Sequence, residues 1–261
     1  MKNKFNDFHS VNNSPWPLYA SLAVLNLMLS TFWSFYSNMG AHSFFSMFNV
    51  LLMVSIWARD ILRESVYQGN HTSKVMASLK YGMLLFISSE IMFFLSFFWT
   101  FFHSSLNPDC SLGYMWPSWG VRAVSPLSIP LLNTLILISS GVTITYSHHM
   151  MLAHNWEFSI KWTIYTILLG VYFTILQGLE YKFTSFTMMD SIYGSIFFMS
   201  TGFHGFHVIL GTIFISLSLM RLIKLEYSNS HHLMFEFSCW YWHFVDLVWL
   251  FLFLFIYWWG F

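Results

Sequence analysis

Tyr81-Gly82-Met83-Leu84-Leu85-Phe86-Ile87-Ser88-Ser89-Glu90-Ile91-Met92-Phe93-Phe94 decides the class of fold. The run stays apolar to Phe102, and Glu90 is its one charge after Lys80. About 20 apolar residues in a helix cross the ~30 Å hydrocarbon core of a bilayer, so residues 80–102 read as a membrane span. Six further runs qualify, at 16–35, 40–58, 128–150, 158–179, 191–219 and 234–258. The reading is an all-α membrane protein of seven transmembrane helices. Composition points the same way: 56% of residues are apolar, 21% aromatic and 8% charged, where a soluble domain carries about 25% charged residues.

Pro15 and Pro17 precede the first run, and Gln68-Gly69-Asn70-His71 forms a polar turn between the second and third. No internal repeat or linker interrupts the chain. Residues 1–261 therefore read as a single membrane domain, with helices 1 and 2 over about 16–66 and helices 3 to 7 over about 73–258. The N-terminus and the 59–80, 147–161 and 221–232 loops carry nine Lys and Arg residues; the opposite loops carry only Arg122 and Lys182. The positive-inside rule places the N-terminus inside and, with seven spans, the C-terminus outside. Trp16, Trp57, Trp116, Trp156, Trp258 and Trp259 fall near span ends, as an interfacial aromatic belt does. Residues 1–14 are polar, so no cleavable secretory leader is expected. Eleven basic and eleven acidic residues give no net charge, which argues against a nucleic-acid partner. Cys110 and Cys239 lie far apart, in no metal-ligand or disulfide spacing.

Glu90 is the residue most out of place. A carboxylate in mid-span costs several kcal/mol, and intramembrane acids mark proton or ligand sites or pair between packed helices. Two readings stand: a proton-linked or lipid-sensing carboxyl, and an acid hydrogen-bonded to Ser89 or to another helix. In both, Glu90 faces protein or a cavity. The seventh span adds Glu236, His243 and Asp246; the last two are three apart and neighbours on the helix. His204 and His207 also share a face, beside Gly202, Gly205 and Gly211, which suit close helix packing. These polar groups are candidates for structural or proton-linked roles. A haem–copper centre needs several imidazoles converging from different helices, and the pattern here does not supply them; no metal site and no cofactor are expected in this chain. An independent proton-coupled transporter using Glu90 and His243/Asp246 is the alternative, and a membrane haem protein using His204 and His243 a more distant one.

Two surface groups complete the candidates. His9, His148, His149, His231 and His232, with His154, lie on the inner side, where imidazoles can collect and pass protons. Trp57, Arg59, Arg63, Glu64 and His71 flank the second span, and Arg221 and Lys224 the sixth. Arginine forks onto phosphate and tryptophan sits at headgroup depth, so these residues fit an anionic phospholipid or an ordinary basic flank.

Several blocks taken in order resemble one family. They are Asn13-Ser14-Pro15-Trp16-Pro17, Arg59-Asp60-Ile61-Leu62-Arg63-Glu64-Ser65, the 81–94 stretch, Phe97-Phe98-Trp99 and Pro130-Leu131-Leu132-Asn133-Thr134. Gly170-Val171-Tyr172-Phe173-Thr174, Thr201-Gly202-Phe203-His204-Gly205-Phe206-His207 and Trp240-Tyr241-Trp242-His243-Phe244-Val245-Asp246 continue the series. From end to end the chain resembles subunit III of the mitochondrial cytochrome c oxidase. That resemblance implies a non-catalytic core subunit of the mitochondrial inner membrane, with the N-terminus in the matrix and the C-terminus in the intermembrane space. It implies a V-shaped bundle, two helices plus five, with phospholipid in the cleft. Subunit I is the implied main partner, with haem and copper held by partner subunits. The implied work is stabilising subunit I, binding phospholipid and supporting proton uptake while cytochrome c reduces oxygen. Glu90 would be the intramembrane carboxyl near the cleft, and Arg63, Glu64, His71 and Arg221 residues near headgroups. Glu226 places an acid in a basic inner loop, where it would weaken phosphate binding or pair with Lys224.

Overall fold

A computed structural model describes residues 13–37, 40–108, 110, 113–229 and 231–261. Among the described residues, seven helices are long and apolar enough to cross a membrane. They are α1 (Trp16–Ser37), α2 (Ala41–Val66), α3 (Ser73–Leu106), α4 (Ile129–Leu152), α5 (Trp156–Phe183), α6 (Ile192–Ile223) and α7 (Leu233–Leu252), the last continuing through a π-helical stretch, Phe253–Trp258. The apolar runs locate all seven, and α2 and α3 outrun them furthest. Arg59, Asp60, Arg63 and Glu64 continue α2 to Val66, because charges three and four apart support a helix beyond the lipid as well as in it.

The chain divides into two compact units, residues 1–79 and 80–261. In the first, α1 buries only Ala23 and α2 only Ser46. Their contact includes a hydroxyl pair, Ser30 with Ser46, and a bond from Trp16 Nε1 to Asp60 Oδ2 at 2.6 Å.

The second unit has a continuous core dominated by aromatic rings. Trp242, Trp249, Tyr257, Phe173, Phe197 and Phe235 are almost wholly buried. Small residues set the helix spacing. A Cβ on Gly170 would lie 2.5 Å from Thr212 Cγ2 and 2.7 Å from Trp242 Cη2, and one on Gly211 would lie 2.9 Å from Trp242 Cε3. The indole of Trp242 thus seats against α5 and α6 where both lack a side chain. The expectation for the α6 glycines holds at Gly211 alone: an added Cβ on Gly205 meets nothing within 4 Å, and on Gly202 only Tyr181 Oη at 4.0 Å. Hydroxyls join the α4–α5 seam, with Ser147 Oγ 2.7 Å from Thr163 Oγ1 and Thr143 Oγ1 2.8 Å from Thr166 Oγ1. Trp242 Nε1 donates to Ser140 Oγ at 2.9 Å. Polar pairing of this kind holds helices together where hydrocarbon gives no hydrophobic drive between them.

Candidate functional site

Glu90 sits midway along α3, and its partner is His207 of α6, with His207 Nε2 3.0 Å from Glu90 Oε2. The other ring nitrogen, Nδ1, donates to the Phe203 carbonyl at 2.7 Å. With Nδ1 protonated, one further proton bridges Nε2 and the carboxyl. Either the acid donates to a neutral imidazole or an imidazolium donates to a carboxylate, and the pair is electrically neutral in both forms. That neutrality makes burial of an acid in mid-span tolerable. The side chains are 9% and 23% exposed, and Phe94, Tyr241 and Phe244 pack around the imidazole. Glu90 therefore faces protein, with another helix rather than Ser89 as partner; Ser89 Oγ donates to the Phe86 carbonyl.

His204 and His207 diverge despite their shared face. His204 is fully buried against Phe173 and Trp249, and its Nε2 donates to the Val245 carbonyl at 3.2 Å. It locks α6 to α7 and offers no convergence with His207. His243 Nδ1 lies 3.8 Å from Asp246 Oδ2, a separation too long for a hydrogen bond. Asp246 lodges against Gly141, where a Cβ would come within 2.7 Å of Oδ2.

Glu236 belongs to a different group from these two. At the start of α7 its Oε1 lies 3.6 Å from His232 Nε2, and Lys80 Nζ lies 2.7 Å from its Oε2. His148, near the end of α4, brings its Nε2 within 3.2 Å of the same His232 nitrogen. His149 is exposed, and His154 accepts from Asn229 Nδ2 at 2.6 Å. The candidate histidines thus split into one tight pair and several separate side chains. His9 lies outside the described residues. His231 is held below the ordinary imidazole range by burial and then by the charge of Arg221.

In the first unit, Trp57, Asp60, Arg63 and Glu64 join Trp16 and Gln68 around a cavity of about 340 Å³. Arg59 and Arg63 lie 3.5 and 3.7 Å from Asp60 Oδ1, and His71 follows in the turn before α3. In the second unit, Lys224 is exposed. Arg221 is buried: Nε donates to Glu226 Oε2 at 2.9 Å and the guanidinium lies 4.7 Å from the Tyr227 ring centroid. Glu226 thus pairs with Arg221 rather than with Lys224. Burial holds the Tyr227 phenol above its ordinary range, and its oxygen lies 3.0 Å from Ser218 Oγ.

Two features escape a reading by residue type. Asp60 anchors Trp16, Arg59 and Arg63 together; its place in Arg59-Asp60-Ile61-Leu62-Arg63, one helical turn from Arg63, was the available signal. Glu180 is 2% exposed at the far end of α5 and accepts from Tyr257 at 2.6 Å. Beside it on the same helix, Gln177 Oε1 accepts from Asn133 of α4 at 3.4 Å. Glu180 ends an apolar run and looks like a surface acid until α7 is folded over it.

The family model for cytochrome c oxidase subunit III matches residues 6–261. Cytochrome c oxidase subunit 3 of Pelomedusa subrufa is 49% identical over 260 residues, with all of each chain covered. The Sus scrofa protein of the same name is 50% identical over 262 residues, again with full coverage, and that of Myxine glutinosa 49% over 260. The family belongs to the mitochondrial respiratory chain, and within it the chain is part of the oxidase complex and is not itself a redox centre. Seven spans and a match from end to end leave one assignment: the chain belongs to the cytochrome c oxidase subunit III family.

Proposed function

We propose that this chain is a non-catalytic core subunit that stabilises subunit I, binds phospholipid and supports proton uptake while cytochrome c reduces oxygen. Haem and copper are carried by partner subunits, and the N-terminus lies in the matrix. The observation that carries the reading is the Glu90–His207 pair, two protonatable side chains joined in mid-span across two helices. Among the described residues the one group with metal-ligand spacing lies elsewhere, and an imidazole facing a carboxyl has the chemistry of a protonatable joint. Lipid binding is supported by the cavity lined by Trp16, Trp57, Arg63 and Glu64, where a guanidinium and indoles lie at the end of a span as a phosphodiester headgroup requires. An apolar groove of about 420 Å³ between α3 and α7, lined by Phe94, Phe98, Trp99, Phe102, Phe251 and Phe255, suits an acyl chain.

The test is purification of the complex in mild detergent through this chain, with identification of the co-purifying subunits and comparison of the wild type with Glu90→Gln. Glu90→Gln keeps a hydrogen-bonding side chain but cannot transfer the proton. Haem content and initial electron transfer should stay near wild type, while proton uptake over sustained turnover falls. Recovery of the chain alone would remove the partner assignment, and loss of the haems in the variant would remove the supporting role.

A further inference from the structure

We infer that His148, His232 and Glu236 form a binding site for an exchangeable Zn²⁺ ion, at the end of the bundle where α4 stops and α7 starts. Among the described residues, these three are the one group of His, Cys, Asp or Glu whose ligand atoms gather closely enough, all within 4.8 Å of one another. The spacing suits a small tetrahedral ion. Ligands 2.0–2.1 Å from zinc stand about 3.3 Å apart along a tetrahedral edge; here His148 Nε2 and His232 Nε2 are 3.2 Å apart, and His232 Nε2 and Glu236 Oε1 3.6 Å. Two imidazoles and one carboxylate, with water in the fourth position, is a donor set that zinc uses in open sites. Larger oxygen-seeking cations need six or more oxygens and find one carboxylate.

The surroundings orient the ligands as an outer shell does. His232 Nδ1 donates to the Ser228 carbonyl at 3.1 Å, which fixes the tautomer and leaves the Nε2 lone pair directed into the group. Lys80 Nζ holds Glu236 Oε2 at 2.7 Å, leaving Oε1 to the imidazoles. With no metal, the short contact between the two Nε2 atoms is an N–H···N bond with His148 as donor. Metal binding replaces it once that proton moves to Nδ1 of His148 or to solvent. The ammonium of Lys80 repels a dication, so the site exchanges its ion instead of holding it permanently. Helix ends otherwise joined by side-chain hydrogen bonds, the last turn of α4 and the first of α7, would then be bridged by coordination.

The purified complex, chelator-treated and dialysed, is titrated with radioactive zinc and examined by X-ray absorption at the zinc edge. The wild type should gain one ion relative to His232→Gln and Glu236→Gln. Each of these variants should weaken binding by at least the ~10–100-fold that loss of an outer-shell partner alone costs. His149→Gln and His154→Gln, which alter neighbouring histidines outside the group, should bind as the wild type does. The spectrum of the added ion should contain two imidazole nitrogens and a carboxylate oxygen, and it decides the matter if a variant fails to assemble. An oxygen-only shell would overturn the site, as would equal binding by all variants or equal loss in His149→Gln.

Discussion

The first unit, residues 1–79, and the second, residues 80–261, are both built from helices apolar enough to span a bilayer and are packed quite differently. In α1 and α2 only 6% of the most apolar stretch is buried within the chain; in α4 the share is 44% and in α7 50%. Hydropathy therefore makes a span but does not make a bundle. In the second unit, glycines opposite Trp242 and buried hydroxyl and imidazole bonds give α4, α5, α6 and α7 fixed partners. In the first, Leu18, Leu22, Phe35, Phe44 and Phe48 remain outside, available to lipid or to a neighbouring subunit.

Gly170→Val should break the second unit most severely. Its methyls must enter space already held by Thr212 and the Trp242 indole, which a Cβ alone would meet at 2.5 and 2.7 Å. Overpacking of this kind costs about 1–3 kcal/mol and sometimes more. Unfolding midpoints in a denaturing detergent should fall sharply. Gly205→Ala, with nothing near its Cβ, should be neutral or gain up to about 1 kcal/mol from helix propensity. Equal behaviour of the two substitutions would mean that Trp242 does not set the α5–α6 spacing.

Lipid removal should act in the opposite place. Exhaustive delipidation in detergent should raise backbone hydrogen exchange across α1 and α2 while α4 to α7 keep their protection, since the exposed apolar faces of the first unit have few side chains of this chain to cover them. Uniform loss of protection would show that lipid supports the whole molecule and not the thinner unit.

These contrasts explain what the sequence could disclose. Spans were legible because twenty apolar residues have one cheap solution in a bilayer, and the cost of Glu90 was legible because a buried acid needs a partner. The partner was not: Glu90 and His207 lie 117 residues apart, and only the packing of α3 against α6 joins them. A shared helix puts Glu236 with His243 and Asp246 in the sequence, whereas its neighbours in the fold come from α4 and from the turn before α7. Glu180 carried no signal, since an acid at the end of an apolar run reads as a surface group. Local periodicity locates elements; pairings across elements follow from small residues and side-chain shapes that only the fold brings together.

Ser140→Ala and Ser30→Ala give the finest comparison. Ser140 accepts from a fully buried Trp242 N–H; removing it strands a donor in a dry core, at a cost of about 1–2 kcal/mol. Ser30 and Ser46 meet across α1 and α2, but each hydroxyl is also 2.9 Å from a carbonyl of its own helix, Leu27 and Ser43 respectively. Ser30→Ala therefore leaves Ser46 satisfied, and the loss should stay at or below the ~0.6 kcal/mol average for hydrogen bonds between membrane helices. Both values come from detergent unfolding, measured by double-mutant cycles with Trp242→Phe and Ser46→Ala. If the Ser30–Ser46 coupling matches that of Ser140–Trp242, the first unit is held by a specific polar contact, and its sparse packing says little about dependence on lipid. If it falls below, the first two helices share a loose seam whose order is supplied by what surrounds them.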